Sequence, residues 1–150
     1  MYRFQNSPTL LLVEDNPPDA KAVTRAAERL KLPLKIVHVP DGLEALRFLR
    51  REAPYETAPR PDLVFLDLNL PRVPGHEVLA ETKRDPSLSS IPIVVLSGSE
   101  AESDVRRCYE LGANSYLVKP GSLEKLNTIL TTTYDYWFVL GRTPERCFAP

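Results

Sequence analysis

Five polar residues directly follow short apolar runs of the sequence, at places where their side chains could work together. Glu14 and Asp15 follow the first run, and Asp67, Ser97 and Lys119 each follow one of three later runs. In an open α/β sheet, the site lies outside the carboxyl ends of the strands. If the runs are parallel strands, these residues meet at that edge, and three carboxylates there repel one another unless a cation joins them.

The acidic residues predict a site for a hard divalent cation. Oxygen ligands without a neighbouring His or Cys favour Mg²⁺, or Mn²⁺ in its place. We expect Asp15 and Asp67 to bind it directly and Glu14 to reach it through water. The backbone carbonyl of Asn69 could fill another position. Such an ion would neutralise both a carboxylate nucleophile and a transferring phosphoryl group.

The chemistry that this set of residues suggests is phosphoryl transfer to a carboxylate. Asp67 is the expected nucleophile and would form an acyl phosphate. Lys119 would place a positive charge on one phosphoryl oxygen, and the Ser97 hydroxyl would donate to another. A purely structural explanation stays open for the first acidic pair, because it precedes Asn16-Pro17 and could serve only to cap a helix.

The elements that must position these residues are five apolar runs of strand length. The runs are rich in Val, Ile and Leu and do not alternate, which is typical of strands buried on both faces of a parallel sheet. They are Thr9–Val13, Leu34–Val39, Leu63–Leu66, Ile91–Leu96 and Ser115–Val118. The irregular segment Ala53–Pro61 carries three prolines and predicts an ordered surface loop before the third run.

Helix signals stand between and after the strand signals. Asn16-Pro17 predicts a helix start, Asp41 and Ser99 begin capping-box spacings, and Gly112 predicts a helix end. Strict alternation of strands and helices with right-handed crossovers predicts an α/β, doubly wound, five-stranded parallel sheet. The expected strand order is 2-1-3-4-5, the flavodoxin-like arrangement. Residues 1–150 fit one domain, with 131–150 as a C-terminal extension.

Composition narrows the classes of partner and compartment. A net charge of -1 gives no whole-chain footprint for nucleic acid or for an anionic membrane. Two cysteines, Cys108 and Cys147, indicate a reduced, cytoplasmic protein rather than a disulfide scaffold. Met1–Pro8 does not have the pattern of a signal peptide, and the apolar runs are too short to cross a membrane. His38 and His76 match no metal-binding spacing.

Taken together, the motifs resemble the receiver domains of two-component response regulators over residues 9 to 135. The matching segments are Glu14-Asp15, Asp67 in LVFLDLNLP, Ser97 in VVLSGS, and Tyr116–Pro120 (YLVKP). The resemblance implies Mg²⁺-dependent phosphorylation of Asp67 by a sensor histidine kinase. It also implies slow self-catalysed hydrolysis of that phosphate and no other enzymatic activity. Asp104–Lys119 and the long loop resemble the stand-alone regulators that partner phytochrome-type histidine kinases.

The same resemblance implies how a signal leaves the site. Ser97 would move toward the phosphate, Tyr116 would turn inward, and the face made by helix 4, strand 5 and helix 5 would change shape. A cis peptide bond before Pro120 would aim Lys119 into the site. The chain departs from the family pattern in having Ser97 where many members have Thr. It also has Pro74 where many have Asp or Asn, which should stiffen the loop after the nucleophile.

The segment after Leu130 is unusually aromatic for the end of such a domain. Clustered apolar exposure of this size marks an interface, so we expect a homodimer through the last helix and the tail. The residues that we expect at that surface are Tyr134, Trp137, Phe138 and Leu140.

Three other functions share parts of the pattern. Phosphatases of the haloacid dehalogenase type also place an Asp nucleophile after a strand, but they have a second Asp as general acid where this chain has Asn69. A flavin or nucleotide binder needs a glycine-rich cradle where this chain has Glu14 and Asp15. A pseudo-receiver that is never phosphorylated would not need the acidic, hydroxyl and lysine positions that are intact here.

Overall fold

The computed structural model describes residues 7–144. Within that range five strands alternate with five α-helices, and a π-helical segment follows the last helix. The strands are β1 (Thr9–Val13), β2 (Lys35–Val39), β3 (Leu63–Leu66), β4 (Ile93–Ser97) and β5 (Ser115–Val118). The helices are α1 (Pro17–Arg29), α2 (Gly42–Arg50), α3 (Gly75–Arg84), α4 (Glu102–Glu110) and α5 (Leu123–Tyr134), with the π-helical segment at Asp135–Leu140. Cys147 lies outside the described residues.

The strand order confirms the doubly wound arrangement. All neighbouring strands are parallel, and the order across the sheet is β2-β1-β3-β4-β5. Val13 pairs with Leu66 in the register of β1 and β3. The residues that follow those two, Glu14 and Asp67, are therefore side by side where the two strands end. The sheet thus delivers the predicted acidic residues to one edge.

Two layers of helices and apolar side chains cover the faces of the sheet. Residues that alternate along a parallel strand point to opposite faces, and here both faces are buried. Leu11 and Val13 pack into the layer with α2, α3 and Cys108, whereas Leu10 and Leu12 pack into the layer with α1 and α5. Edge strand β2 is half exposed, so the prediction of two-sided burial holds for the inner strands only.

Helix starts follow the sequence signals in two of three cases. The side chain of Asn16 accepts a hydrogen bond from the backbone N–H of Asp19 at 3.0 Å, which caps α1. Asp41 caps α2 in the same way, through the N–H of Glu44. The capping box predicted at Ser99 is wrong, because α4 begins at Glu102 and the Ser99 hydroxyl donates to the Asp104 carboxylate instead.

The long loop over Ala53–Pro61 packs against α2. The rings of Phe48 and Tyr55 meet edge to face with centroids 5.3 Å apart, and the Tyr55 hydroxyl donates to the carboxylate of Glu44. An aromatic pair of this geometry adds about 0.5–1.5 kcal/mol beyond the apolar area that it buries. The three prolines of this loop therefore accompany a segment fixed by specific contacts.

The C-terminal segment folds back on its own domain. Phe138 is 2% exposed and packs with α1 and α5, so the expectation that it lies on a partner surface is wrong. The π-helical segment continues α5 and turns this ring onto the core. Thr143 is also buried, and its hydroxyl donates to Asp62 at 2.8 Å. Within the described part of the chain, no helix combines the length and apolar character that a membrane span needs.

Candidate functional site

The three predicted acidic residues meet at the carboxyl edge of the sheet. One carboxylate oxygen from each of Glu14, Asp15 and Asp67 lies within 4.8 Å of the others. Glu14 and Asp67 are each 4% exposed, whereas Asp15 is exposed to solvent. These oxygens are the donors that Mg²⁺ or Mn²⁺ takes. The cluster therefore fits a divalent metal site that is open to solvent on the side of Asp15.

Lys119 joins this cluster from the end of β5. Its ammonium nitrogen lies 2.8 Å from Glu14 Oε2 and 2.9 Å from Asp67 Oδ2. A third carboxylate, Asp19 in the first turn of α1, accepts from the same nitrogen at 2.9 Å. An ammonium group has three N–H donors, so each donor faces one carboxylate.

The charges of the site stabilise one another. Burial raises the pKa of the Glu14 carboxyl, and hydrogen bonds from Lys119 and from the backbone N–H of Asn16 offset that rise only in part. Burial alone would lower the pKa of Lys119, but its hydrogen bonds to Glu14, Asp19 and Asp67 raise it above the ordinary value. The lysine is therefore a permanent positive charge beside Asp67.

The loop that follows Asp67 is held close to the Asp67 carboxylate. The backbone N–H of Asn69 donates to Asp67 Oδ1 at 3.3 Å, and the N–H of Gly75 donates to the carbonyl of Leu68 at 3.0 Å. A side chain at Gly75 would place its Cβ 2.3 Å from the carbonyl oxygen of Asp67. Pro74 precedes α3 without a side-chain cap. The direct role of the Asn69 carbonyl as a metal ligand stays a prediction.

Ser97 and Tyr116 are connected through one residue, Ser99. The Ser97 hydroxyl, fully buried at the end of β4, accepts from the backbone N–H of Ser99 at 3.2 Å. The hydroxyl of Tyr116 donates to the backbone carbonyl of Ser99 at 2.8 Å. Tyr116 is half-buried against the layer of α2, α3 and α4. A displacement of the β4–α4 loop would thus act on both side chains.

The expected cis peptide bond before Pro120 is wrong. Within the described residues, the cis bond joins Ala53 and Pro54. Bonds before proline favour the trans form by about 0.5–1 kcal/mol. Lys119 reaches Glu14 and Asp67 with the trans bond, so no cis bond is needed to aim it.

Two contributors to the site had no signal in the sequence. An acidic residue in a first helical turn ordinarily complements the helix dipole, so Asp19 gave no reason to expect a contact with Lys119. The spacing of His38 indicates no metal site and no other role, yet its Nε2 lies 2.7 Å from the backbone carbonyl of Glu14, which can only accept a hydrogen bond. In residues 7–144 neither His38 nor His76 belongs to a group of three or more side chains that could hold a metal ion.

Comparison with known proteins gives a consistent result. The family model described as response regulator receiver domain matches residues 10–131. Response regulator Rcp1 of Synechocystis sp. is 41% identical over 128 residues, which are 85% of this chain and 87% of Rcp1. A probable methanogenesis regulatory protein, FilR2 of Methanothrix harundinacea, is 44% identical over 136 residues, which are 90% of this chain and 86% of FilR2.

Solved structures agree with this match. The crystal structure of the phosphorylated cyanobacterial phytochrome response regulator RcpA has a TM-score of 0.86 and 42% identity, and covers 92% of this chain and 99% of RcpA. The Mn²⁺-bound form of Rcp1 has a TM-score of 0.84 and 39% identity, and covers 91% of this chain and 99% of Rcp1. The fold, the acidic cluster and these relatives together show that this chain belongs to the family of response regulator receiver domains.

Proposed function

We propose that this chain is a phosphorylation switch that accepts a phosphoryl group on Asp67. The observation that carries the proposal is the position of Lys119, whose ammonium nitrogen bridges the carboxylates of Glu14 and Asp67 within the acidic cluster. A positive charge fixed beside a buried carboxylate is what an acyl phosphate requires, because the transferring group gathers negative charge on its oxygens.

The proposed reaction is an in-line displacement at phosphorus. A carboxylate oxygen of Asp67 attacks the phosphorus of a phosphohistidine, and a new O–P bond forms as the N–P bond breaks. The histidine nitrogen leaves with the electron pair of the broken bond. Lys119 donates a hydrogen bond to a phosphoryl oxygen, and the Ser97 hydroxyl is proposed to donate to another. A divalent cation held by Glu14, Asp15 and Asp67 would neutralise the negative charge on the phosphoryl oxygens.

Incubation with acetyl phosphate and Mg²⁺, followed by measurement of the intact mass, tests the proposal. We expect the mass to increase by one phosphoryl group and to return to its starting value as the acyl phosphate hydrolyses. Chelation of the metal with EDTA should prevent the increase. An unchanged mass with Mg²⁺ present would favour the pseudo-receiver, and turnover of a generic phosphomonoester would favour a phosphatase.

The absence of a general acid supports a phosphoacceptor rather than a phosphatase. Asn69 stands two residues after Asp67, and an amide cannot donate and recover a proton as a carboxylic acid does. The family is one of signalling domains and not of classical enzymes. We therefore propose that self-catalysed gain and loss of the phosphoryl group is the chemistry of this chain.

The proposed phosphoryl donor is a sensor histidine kinase of the phytochrome type. The similarity to RcpA, a cyanobacterial phytochrome response regulator, supports that class of kinase. FilR2 is similarly close in sequence and is described as a regulator of methanogenesis, which supports a kinase without a photoreceptor as the second candidate. The rate of phosphoryl transfer to this chain should be measured with purified, phosphorylated kinases of the two kinds. The kinase that transfers faster identifies the class of donor.

The proposed output uses the link between Ser97 and Tyr116. Phosphorylation would draw the Ser97 hydroxyl toward the phosphate and release the N–H of Ser99, and Tyr116 would then change its position against α4 and β5. We expect backbone amide resonances of Tyr116 and of α4 to shift on phosphorylation in the wild type and to shift much less in Ser97→Ala. Equal shifts in a fully phosphorylated Ser97→Ala would remove this coupling.

We propose that the chain forms a homodimer through the exposed residues of the C-terminal segment. Tyr136, Val139 and Leu140 are 61%, 62% and 82% exposed, whereas Tyr134 and Trp137 are half-buried against their own domain. Three apolar side chains within five residues, exposed to this degree, are typical of an interface. Charged residues introduced at these positions should oppose association, because burying an unpaired charge at an interface costs roughly several kcal/mol.

We expect the wild type to sediment as a dimer and the double variant Val139→Asp, Leu140→Asp to sediment as a monomer. Thr57→Asp, an exposed position of the long loop, is the matched control and should remain a dimer. Truncation after Leu130 is a poorer test, since it would also remove the buried ring of Phe138. Identical particle masses for wild type and double variant would exclude this segment as the dimer contact.

A further inference from the structure

We infer that Asp19 is a positioning residue for Lys119, a role that rests on the proposed function of the site. The Asp19 carboxylate accepts a hydrogen bond from Lys119 Nζ at 2.9 Å, the same distance as that from Asp67. It reaches this atom from α1, 100 positions away in the sequence. Lys119 is therefore held from two sides, by the strand ends and by the first turn of the neighbouring helix.

The start of α1 fixes the backbone of Asp19. Its N–H donates to the side chain of Asn16 at 3.0 Å, which caps α1. Pro17 and Pro18 occupy the first positions of the helix, and a proline ring locks φ near the helical value. A rigid first turn thus presents the carboxylate toward Lys119 without further ordering.

Asp19 differs from Glu14 and Asp67, the other two partners of Lys119, in its remaining contacts. Glu14 and Asp67 belong to the group of carboxylates that could hold a metal ion, and Asp19 does not. Asp67 also forms the new bond to phosphorus in the proposed reaction. Both are thus needed for other contacts when a cation and a phosphoryl group are present. Asp19 is the partner that can keep one N–H of Lys119 throughout, while another N–H of Lys119 turns to a phosphoryl oxygen.

The role predicts a change in the order of Lys119 that does not depend on phosphorylation. In the wild type we expect a sharp correlation for the Lys119 ammonium group in ¹H–¹⁵N spectra, assigned by its loss in Lys119→Arg. Asp19→Ala should broaden this signal with and without Mg²⁺, and Asp19→Glu should restore part of it. Glu28→Ala removes a carboxylate from the last turn of the same helix and should leave the signal unchanged.

The same variants should change the rate of phosphorylation. Asp19 is half exposed, so the contribution of its ion pair is small, and we expect Asp19→Ala to lower the maximal rate constant with acetyl phosphate about threefold to fivefold. The donor concentration for half-maximal rate should not rise, because removal of a negative charge does not repel an anionic donor. Asp19→Glu should recover most of the rate, and Glu28→Ala should react as fast as the wild type.

Failure of this inference and failure of the proposed function give different results. An Asp19→Ala variant that keeps both the sharp Lys119 signal and the wild-type rate would overturn the positioning role, as would a wild type without that signal. A wild type that never gains a phosphoryl group would overturn the proposed function, and the ammonium spectra would then decide on Asp19 by themselves.

Discussion

Asp67→Asn is expected to abolish phosphorylation by acetyl phosphate. The amide is close in size to the carboxylate but is not a nucleophile toward phosphorus, and it removes one buried negative charge next to Glu14. Intact mass measured with saturating acetyl phosphate and Mg²⁺ should therefore show no added phosphoryl group. The expected loss is complete, because the proposed reaction forms its new bond to phosphorus at the Asp67 carboxylate, and an amide in that place forms no acyl phosphate.

The control for this variant is Asp135→Asn, which makes the same change at an exposed position after α5. It should accept a phosphoryl group as the wild type does. Gain of a phosphoryl group by Asp67→Asn would contradict the assignment of the nucleophile. Asp15 would then be the next candidate, since its carboxylate belongs to the same cluster and is open to solvent.

Gly75→Ala is expected to damage both the stability of the domain and the site. The added Cβ would lie 2.3 Å from the carbonyl oxygen of Asp67 and 2.6 Å from the Cα of Leu68. These neighbours are backbone atoms, so the segment that carries Asp67 has to move. Overpacking of this kind costs about 1–3 kcal/mol, and we expect the upper end of that range. Urea unfolding followed by circular dichroism measures the change in free energy.

Gly121→Ala is the matched control, because a Cβ there meets no atom within 4 Å. Its unfolding midpoint should stay close to that of the wild type, and its phosphorylation rate should exceed that of Gly75→Ala. A stable Gly75→Ala protein with the wild-type rate would show that the loop after Asp67 can shift without consequence. The close approach of Gly75 would then have no role in positioning Asp67.

The sequence was sufficient to predict the sheet and the acidic part of the site. Unbroken apolar runs identified buried parallel strands, and a parallel sheet has all its strand ends at one edge. Glu14 and Asp67 each stand one residue beyond strands that pair in register at Val13 and Leu66. The strand order of the sheet therefore determines that Glu14 and Asp67 lie side by side. The order of strands and helices along the sequence already indicated that strand order.

Features that depend on packing could not be predicted in the same way. The ring of Phe138 and the hydroxyl of Thr143 are buried only because the π-helical segment brings the end of the chain back to α1 and to Asp62. A run of aromatic residues is equally compatible with a partner surface and with a local core. The contact of Asp19 with Lys119 had the same difficulty, since an acidic first turn is common in helices.

The sheet separates the buried apolar side chains into two layers, and this separation affects which mutations can act independently. The buried ring of the C-terminal segment, Phe138, belongs to the layer of α1 and α5, whereas the ring of Tyr116 packs on the opposite face with α2, α3 and α4. Substitutions that share no neighbours usually have additive effects. The proposed self-association and the proposed signal output can thus be tuned by separate sets of mutations, so that a change in one property need not degrade the other.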